Sequence, residues 1–352
     1  SSAASDVYKR QGRIHPLDRE AMYKAQKRWD DLYVGVGDLG KLEEMVIQYA
    51  GVTGEVLPEI PKCCMVVACA DHGVYRQKVS AYPQSTTVGM VKSYVDVKGA
   101  SANALAHYCG AHMVVVDMGI NADMSDVPGL LHRKIAFGTK DITEGAAMSR
   151  AEAIHAIEAG IEIAENKIKE GYRVFTVGEM GIANTTASAC ILGAFNRWNA
   201  VEVTGRGTNI SDARLLHKIE MVQKALDVNQ PDPTDGLDVL SKVGGFEFGC
   251  MTGVMLGAAA NHCLTIIDGF NSTASAFIAK ALSEESVQYL MASHLSLEQA
   301  HRKSLKAIGL TEYIDLDIRL GEAVGASIQK KILDMAIVVY KDGADKRTGV
   351  AE

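Results

Sequence analysis

Cys63-Cys64-Met65-Val66-Val67-Ala68-Cys69-Ala70, followed at once by Asp71-His72-Gly73, is the stretch from which the fold can be read. Eight small or branched apolar residues in a row, closed by polar residues and a glycine, predict a strand buried on both faces. The same form recurs at Met113–Met118, Val174–Gly178 and Cys263–Asp268. Helical periods occupy Gly40–Ala50, Gly89–Tyr108, Ser149–Glu170, Thr185–Phe195, Asp212–Leu226, Phe248–Ala260 and Gly325–Tyr340. Apolar runs alternating with amphipathic stretches predict an α/β fold, a parallel sheet with flanking helices. The Phe248–Ala260 stretch is almost wholly apolar, with Gly253 and Gly257 four apart, and predicts a buried helix lying close on the sheet. Ligands of open α/β sheets gather beyond the carboxyl ends of the strands. Three such ends, Ala70-Asp71-His72-Gly73, Asp117-Met118-Gly119 and Gly178-Glu179-Met180-Gly181, are therefore expected to line a crevice.

Composition narrows the function. With 352 residues, 47% hydrophobic and 22% charged, the chain can build a large core as one large domain or two modest ones. Its 36 basic against 43 acidic residues leave a net charge of −7, no footprint for a phosphate backbone, so nucleic acid is excluded as a partner. Apolar runs fall well short of the roughly 20 residues a bilayer requires, so no membrane partner is expected. Seven cysteines, without a CxxC pair or zinc spacing, read as buried thiols of a reducing, cytoplasmic protein. Ser1–Gln11 has neither the apolar core of a signal peptide nor a helical period; it is expected to be a non-native leader outside the fold.

Gly35-Val36-Gly37-Asp38-Leu39-Gly40 matches the spacing of a dinucleotide fingerprint, which would make the chain an NAD-dependent oxidoreductase. The charged Trp29-Asp30-Asp31 leaves only Leu32–Val34 for the strand that must precede such a loop, so a turn opening a helix is the preferred reading. Asp71-His72 is a candidate metal or acid–base pair but lacks further ligands at suitable spacing, and reads better as a loop brace. His294, Glu298 and His301 could share one helical face as ligands; a solvated or interface face is preferred, and no metal is assigned.

Three glycine-rich loops carry more weight. Gly178–Thr186, Gly205–Asn209 and Gly321–Gly325 each precede a helix, where free N–H groups attract phosphate and glycine permits close approach. Together they point to a phosphorylated small molecule, with Lys218 as its counter-charge. Glu322, between Gly321 and Gly325 and beside Leu320, Ala323 and Val324, is placed to be partly desolvated and so to act as a general base. The competing reading is a glutamate serving the helix dipole.

From about Leu17 to Tyr340 the chain resembles the nicotinate-nucleotide:dimethylbenzimidazole phosphoribosyltransferase family. The likeness rests on Gly37–Glu43, Ala70–Val74 with Val79–Pro83, Gly178–Thr186, Gly205–Thr208, Asp268–Ala274, Ser293–Ser296 and Arg319–Glu322. It implies a Rossmann-like large α/β domain over 59–301, a small helical domain from 12–58 and 302–345, and a tail at 346–352. The implied reaction moves the phosphoribosyl group of nicotinate mononucleotide onto a cobamide lower-ligand base, without a cofactor. By the resemblance Glu322 is the base; Glu179, Gly181, Gly207, Lys218 and Gly321 hold the mononucleotide; Ser80, Tyr82, Gly89, Met180 and Leu320 line the acceptor pocket. Ser296 would reach a neighbouring subunit's site in a homodimer, or in a heterodimer with a paralogue. The chain departs from the family pattern at Gly89, where glutamine is common, at Ala323-Val324 (Gly-Thr), and at Ala70, Ala183 and Ala300 (Gly). These departures imply an altered acceptor, a purine or a phenol among the candidates.

Overall fold

Among the described residues of the computed structural model, 2–346 with side chains from Val7 onward, the sheet has six strands. They are β1 (Cys63–Ala70), β2 (His112–Gly119), β3 (Leu131–His132), β4 (Val174–Met180), β5 (Leu264–Ile266) and β6 (Leu290–Met291). All pairs are parallel and the spatial order is β3-β2-β1-β4-β5-β6. The chain steps outward from β1, then crosses back to β4 and steps the other way. That reversal falls between β1 and β4, the place where ligands of such sheets are expected. All eight residues of β1 are buried, as its unbroken apolar run requires.

Differences from the sequence reading have local causes. β3 and β6 have two residues each and are held only by their neighbours, so no apolar run announces them. The helix expected over Gly89–Tyr108 is broken into Ser85–Lys92, a π-turn at Ser93–Val97 and Ser101–Cys109. Lys98 adopts φ +54° and ends the turn, and Gly99 follows it. Ser2–Gln11 is helical, contrary to the absence of a period: Val7 is buried, and the Arg10 side chain donates to both Glu165 carboxylate oxygens at 2.8 and 2.9 Å. Of the expected tail, only Lys346 lies within the described residues.

The Phe246–Ala260 helix is buried along its whole length and covers β1 and β4. Its glycines, however, face another helix rather than the sheet. A Cβ on Gly253 would stand 1.9 Å from the Ile157 carbonyl oxygen, and one on Gly160 would stand 2.0 Å from the Cys250 carbonyl oxygen. The two backbones touch there. Helices from the two chain ends also meet: the Trp29 and Tyr340 rings lie 5.0 Å apart, and Arg28 Nη2 donates to the Tyr340 carbonyl at 2.9 Å. All seven cysteines are free thiols; six are buried and Cys109 is half-buried. No described helix is long and apolar enough to cross a membrane.

Gly253→Ala forces a methyl into a backbone contact that cannot yield without separating two helices. A loss of about 1–3 kcal/mol is expected, read as a lower denaturant midpoint; an unchanged midpoint would show that the two helices part freely.

Candidate active site

A cavity of about 440 Å³ opens beyond the carboxyl ends of β4, β5 and β6, and all three glycine-rich loops converge on it. β4 supplies Glu179, Met180 and Gly181. The chain stays close because Gly178 has no side chain: a Cβ there would lie 2.3 Å from the Ala323 amide nitrogen. Gly321 is pressed in the same way, its would-be Cβ 2.7 Å from Glu179 Oε1. The loop carrying Glu322 is thus laid directly on the end of β4.

What holds the loop there is Asp268, just beyond β5. Asp268 Oδ2 accepts the Ala323 amide at 3.1 Å and Oδ1 accepts the Ala326 amide at 3.1 Å, with the Gly325 amide as a further donor. These N–H groups open the Val324–Asp342 helix, so one carboxyl both caps the helix and clamps the loop. The clamp opposes strain. Glu322 and Ala323 lie at φ +65° and +64°, and Ala183 at +76°, a region costing an L-residue roughly 1–2 kcal/mol. Positions 183 and 323 are among those where the resemblance has glycine, and the backbone geometry supplies the reason.

Three carboxyls are buried here: Glu322 at 5% exposure, Glu179 at 7% and Asp268 at 3%. Burial pushes Glu322 above its ordinary value, the Tyr94 hydroxyl pulls it down, and Asp268 raises it again. Burial likewise drives Glu179 well up, against the Asn271 amide, whose Nδ2 donates to Oε1 at 2.6 Å. Asp268 is pushed up to about 7 by burial, opposed by its three backbone donors. Carboxyls so near one another and so dry resist ionising together, which suits one of them to accept a proton near neutrality.

The same cavity is also lined by a buried cation. Lys218 is 1% exposed, and its Nζ donates to Thr185 Oγ1 and the Gly205 carbonyl at 2.9 Å each. Burial lowers its pKa, yet Glu298 nearby raises it. Gly207, at φ +56°, brings its amide beside this group, and the Asn184–Asn196 helix begins on the same wall. The same lining includes Val79, Met90, Met180 and Leu320, apolar side chains against which a flat ring can pack.

The structure brings together on this one lining Ser80, Tyr82, Glu179, Met180, Gly181, Gly207, Lys218, Ser296, Leu320, Gly321 and Glu322. Ser296, expected to serve a neighbouring subunit, stands on the wall of its own chain's cavity. Gly89 is not on the lining; Thr86 and Met90 beside it are, and nothing lies within 4 Å of where its Cβ would sit. Sequence reasoning gave no role to Tyr94, Thr185, Asp268 or Asn271, and weighed His294 and Glu298 only as candidate metal ligands. Tyr94 hides in the broken helix, and the others are joined to the site only by partners distant in sequence.

Several expectations are corrected. Of the three strand ends, only that of β4 lines the cavity, through Glu179, Met180 and Gly181. Asp117, at the end of β2, turns to the Ile120 amide at 2.9 Å and to Lys134 at 3.3 Å, on the far side of β1. Asp71 braces Thr87 and the Asn121 amide, at 2.7 and 2.8 Å, while His72 is paired with buried Glu247. His294, Glu298 and His301 do not share a helical face, because the helix begins at His301; His301 serves Thr273 and the Ser296 amide, and Glu298 the Gly207 amide. Before the Gly35–Gly40 segment Leu32 forms only an isolated antiparallel bridge to Asp345, so no strand feeds a dinucleotide loop.

A buried lysine among glycine-rich loops, apolar side chains and a buried carboxylate on a clamped loop thus share one cavity. The chain belongs to the phosphoribosyltransferase family whose model matches residues 14–350. It is 45% identical over 340 residues, 96% of each chain, to a nicotinate-nucleotide–dimethylbenzimidazole phosphoribosyltransferase of Chloroflexus aggregans. To the enzyme of that name from Geobacter metallireducens it is 43% identical over 331 residues, 94% of each. The crystal structure of CobT from Thermus thermophilus superposes with a TM-score of 0.89 at 36% identity, covering 93% of this chain and 98% of that one.

The clamp has a pH signature. Asp268 is raised from 3.8 to about 7 on folding, so the native state holds its proton longer than the unfolded chain does. Its contribution to stability is full below about pH 3.8 and is lost as pH rises through about 7. Denaturant unfolding across that window should show a shallower fall with pH in Asp268→Asn than in the parent; identical slopes would contradict the assignment.

Proposed function

We propose that this chain transfers the phosphoribosyl group of nicotinate mononucleotide to the aromatic base of a cobamide lower ligand, 5,6-dimethylbenzimidazole or an analogue, releasing nicotinate. The observation that carries the reading is Glu322, desolvated and clamped on the lining of a cavity that also presents Lys218 and the Gly207 loop. In the substrate a pyridinium nitrogen is bonded to the ribose anomeric carbon. That bond can break with its electron pair returning to the ring, so nicotinate leaves without being protonated. No general acid is needed, only a base. One nitrogen of the incoming benzimidazole attacks the anomeric carbon from the face opposite the leaving group. Its other nitrogen gives its proton to Glu322, and inversion yields the α-riboside 5′-phosphate. Phosphate held far from the reacting carbon orients it, so remote binding energy lowers the barrier.

The acceptor deserves a second reading. Gly89 stands behind the lining residues Thr86 and Met90, and the open space at its Cβ, where a glutamine is common in the family, removes a side chain long enough to reach the acceptor. A purine or a phenol would then fit, the phenol losing its O–H proton to the same Glu322. The proposal also includes a dimer, formed by identical chains or with a paralogue; Tyr82 and Leu320, 53% and 43% exposed, supply apolar surface at the cavity rim. The helices joined through Trp29 and Tyr340 are the small domain of this reading, covering 12–58 and 302–345, against a large domain of 59–301.

Glu322→Gln should lower turnover by roughly 10²–10⁴, the usual effect of losing a general base, while nicotinate mononucleotide still binds. In the parent, kcat/KM should fall as pH drops through a value above 4.5, because burial raises the base; that limb should vanish in the variant. Near-parent turnover, measured by release of nicotinate, would remove Glu322 from the chemistry. Gly89→Gln should shift the acceptor ranking toward benzimidazoles and away from phenols, scored by product mass in mixed-acceptor assays. An unchanged ranking would mean that position 89 does not select.

A further inference from the structure

The anion end of the cavity already holds an anion of the protein's own. Glu298 Oε1 accepts the Gly207 amide at 2.8 Å. Glu298 also lies close enough to Lys218 to raise its pKa. Its second oxygen, Oε2, is buried and has no hydrogen-bond partner among the described residues. This carboxylate is packed under the loop so closely that a Cβ on Gly205 would meet Oε2 at 1.7 Å. The Gly207 amide has a single N–H. It cannot serve both Glu298 and a substrate phosphate at full strength, and two anions sharing one low-dielectric pocket repel.

We infer that Glu298 is an internal stand-in for the substrate phosphate, occupying the Gly207–Lys218 subsite when no phosphate is there and turning out of it when phosphate binds. This rests on the reading that Gly207 and Lys218 hold the phosphate. Several observations give the side chain freedom to turn while its backbone stays put. Gln299 pins the segment by donating to the Val201 and Thr204 carbonyls at 2.8 and 2.7 Å. A second cavity of about 340 Å³ adjoins the first, is also lined by Glu298, and offers room for the displaced carboxylate. Glu298 itself is half-buried, and neighbouring Leu297 and Gln299 are exposed. Placed so, the carboxylate compensates Lys218, whose ammonium would otherwise be buried without a counter-charge, and holds the glycine loop through the Gly207 amide. The same arrangement sets a penalty on phosphate entry. Affinity for the mononucleotide and for the product, each bearing a 5′-phosphate, is held down alike, which favours product release. Glu298 is therefore a specificity and positioning residue that touches neither the reacting carbon nor the acceptor.

The test uses inorganic phosphate as the probe, by calorimetry and as a competitor of nicotinate mononucleotide, on the full-length parent, Glu298→Gln and Lys218→Met. Glutamine keeps an acceptor for the Gly207 amide but removes the charge. Phosphate should bind Glu298→Gln roughly tenfold more tightly, with KM for the mononucleotide falling and kcat falling too if product release limits turnover. Lys218→Met should bind phosphate more weakly than the parent. If Lys218→Met weakens phosphate binding but Glu298→Gln leaves it unchanged or weaker, Glu298 is only a loop anchor and the inference is wrong. If Lys218→Met has no effect, the phosphate subsite itself is misplaced, and the functional reading of this end fails with it. A thermal midpoint near the parent's for each variant separates these outcomes from unfolding.

Discussion

One carboxyl at the end of β5 organises the active end of this protein. Asp268 gathers backbone N–H groups at the start of the Val324–Asp342 helix and thereby presses the Glu322 loop onto the bare backbone of Gly178. Both sides of that contact are demanding. The loop residues must accept left-handed backbone angles at Glu322 and Ala323, and the strand must lack a side chain where they arrive. The grip is strong because the donors it uses are those a helix leaves unpaired at its first turn. Strain of this sort persists only where its surroundings over-determine it, and here it aims a carboxylate into the cavity.

The electrostatic layout follows from the same packing. Glu179, Asp268 and Glu322 are all raised first by burial; Asp268 raises both glutamates further and Glu322 raises Glu179, so proton affinity there exceeds that of an exposed carboxylate. On the same cavity lining a buried lysine is stabilised by Thr185, the Gly205 carbonyl and nearby Glu298. In the proposed reaction the phosphate of the sugar would meet the lysine and its anomeric carbon the base, so that positioning and one proton acceptor are what the chain has to supply.

Much of the scaffold was legible because burial writes itself into local pattern. β1 could be read as a two-face-buried strand because nothing polar interrupts Cys63–Ala70, and the capped helices such as Arg150–Lys169 show their period. The two-residue strands β3 and β6 could not, since a strand that short has no pattern of its own. The π-turn at Ser93–Val97 was equally hidden: apolar residues continue through it, and only the backbone angle at Lys98 interrupts the helix. Ser2–Gln11 failed in the opposite sense, because one buried valine and one arginine–glutamate pair hold a helix that its periodicity does not advertise.

For the site, the residue types that chemistry demands stand out along the chain: glycines ahead of helices, a lysine one turn or more inside one, a glutamate between glycines. Those features, together with the resemblance they carry, determined the class of reaction and most of the candidate residues. The tertiary structure alone decided which strand ends meet, and it excluded Asp117 and Asp71 in favour of residues beyond β4, β5 and β6. It alone revealed that Asp268 acts on residues more than fifty positions away and that Glu298 sits against Gly207. The physical reason is that local pattern records whether a side chain is buried, whereas partnership depends on how distant segments are brought into register by the sheet, and no short stretch contains that information.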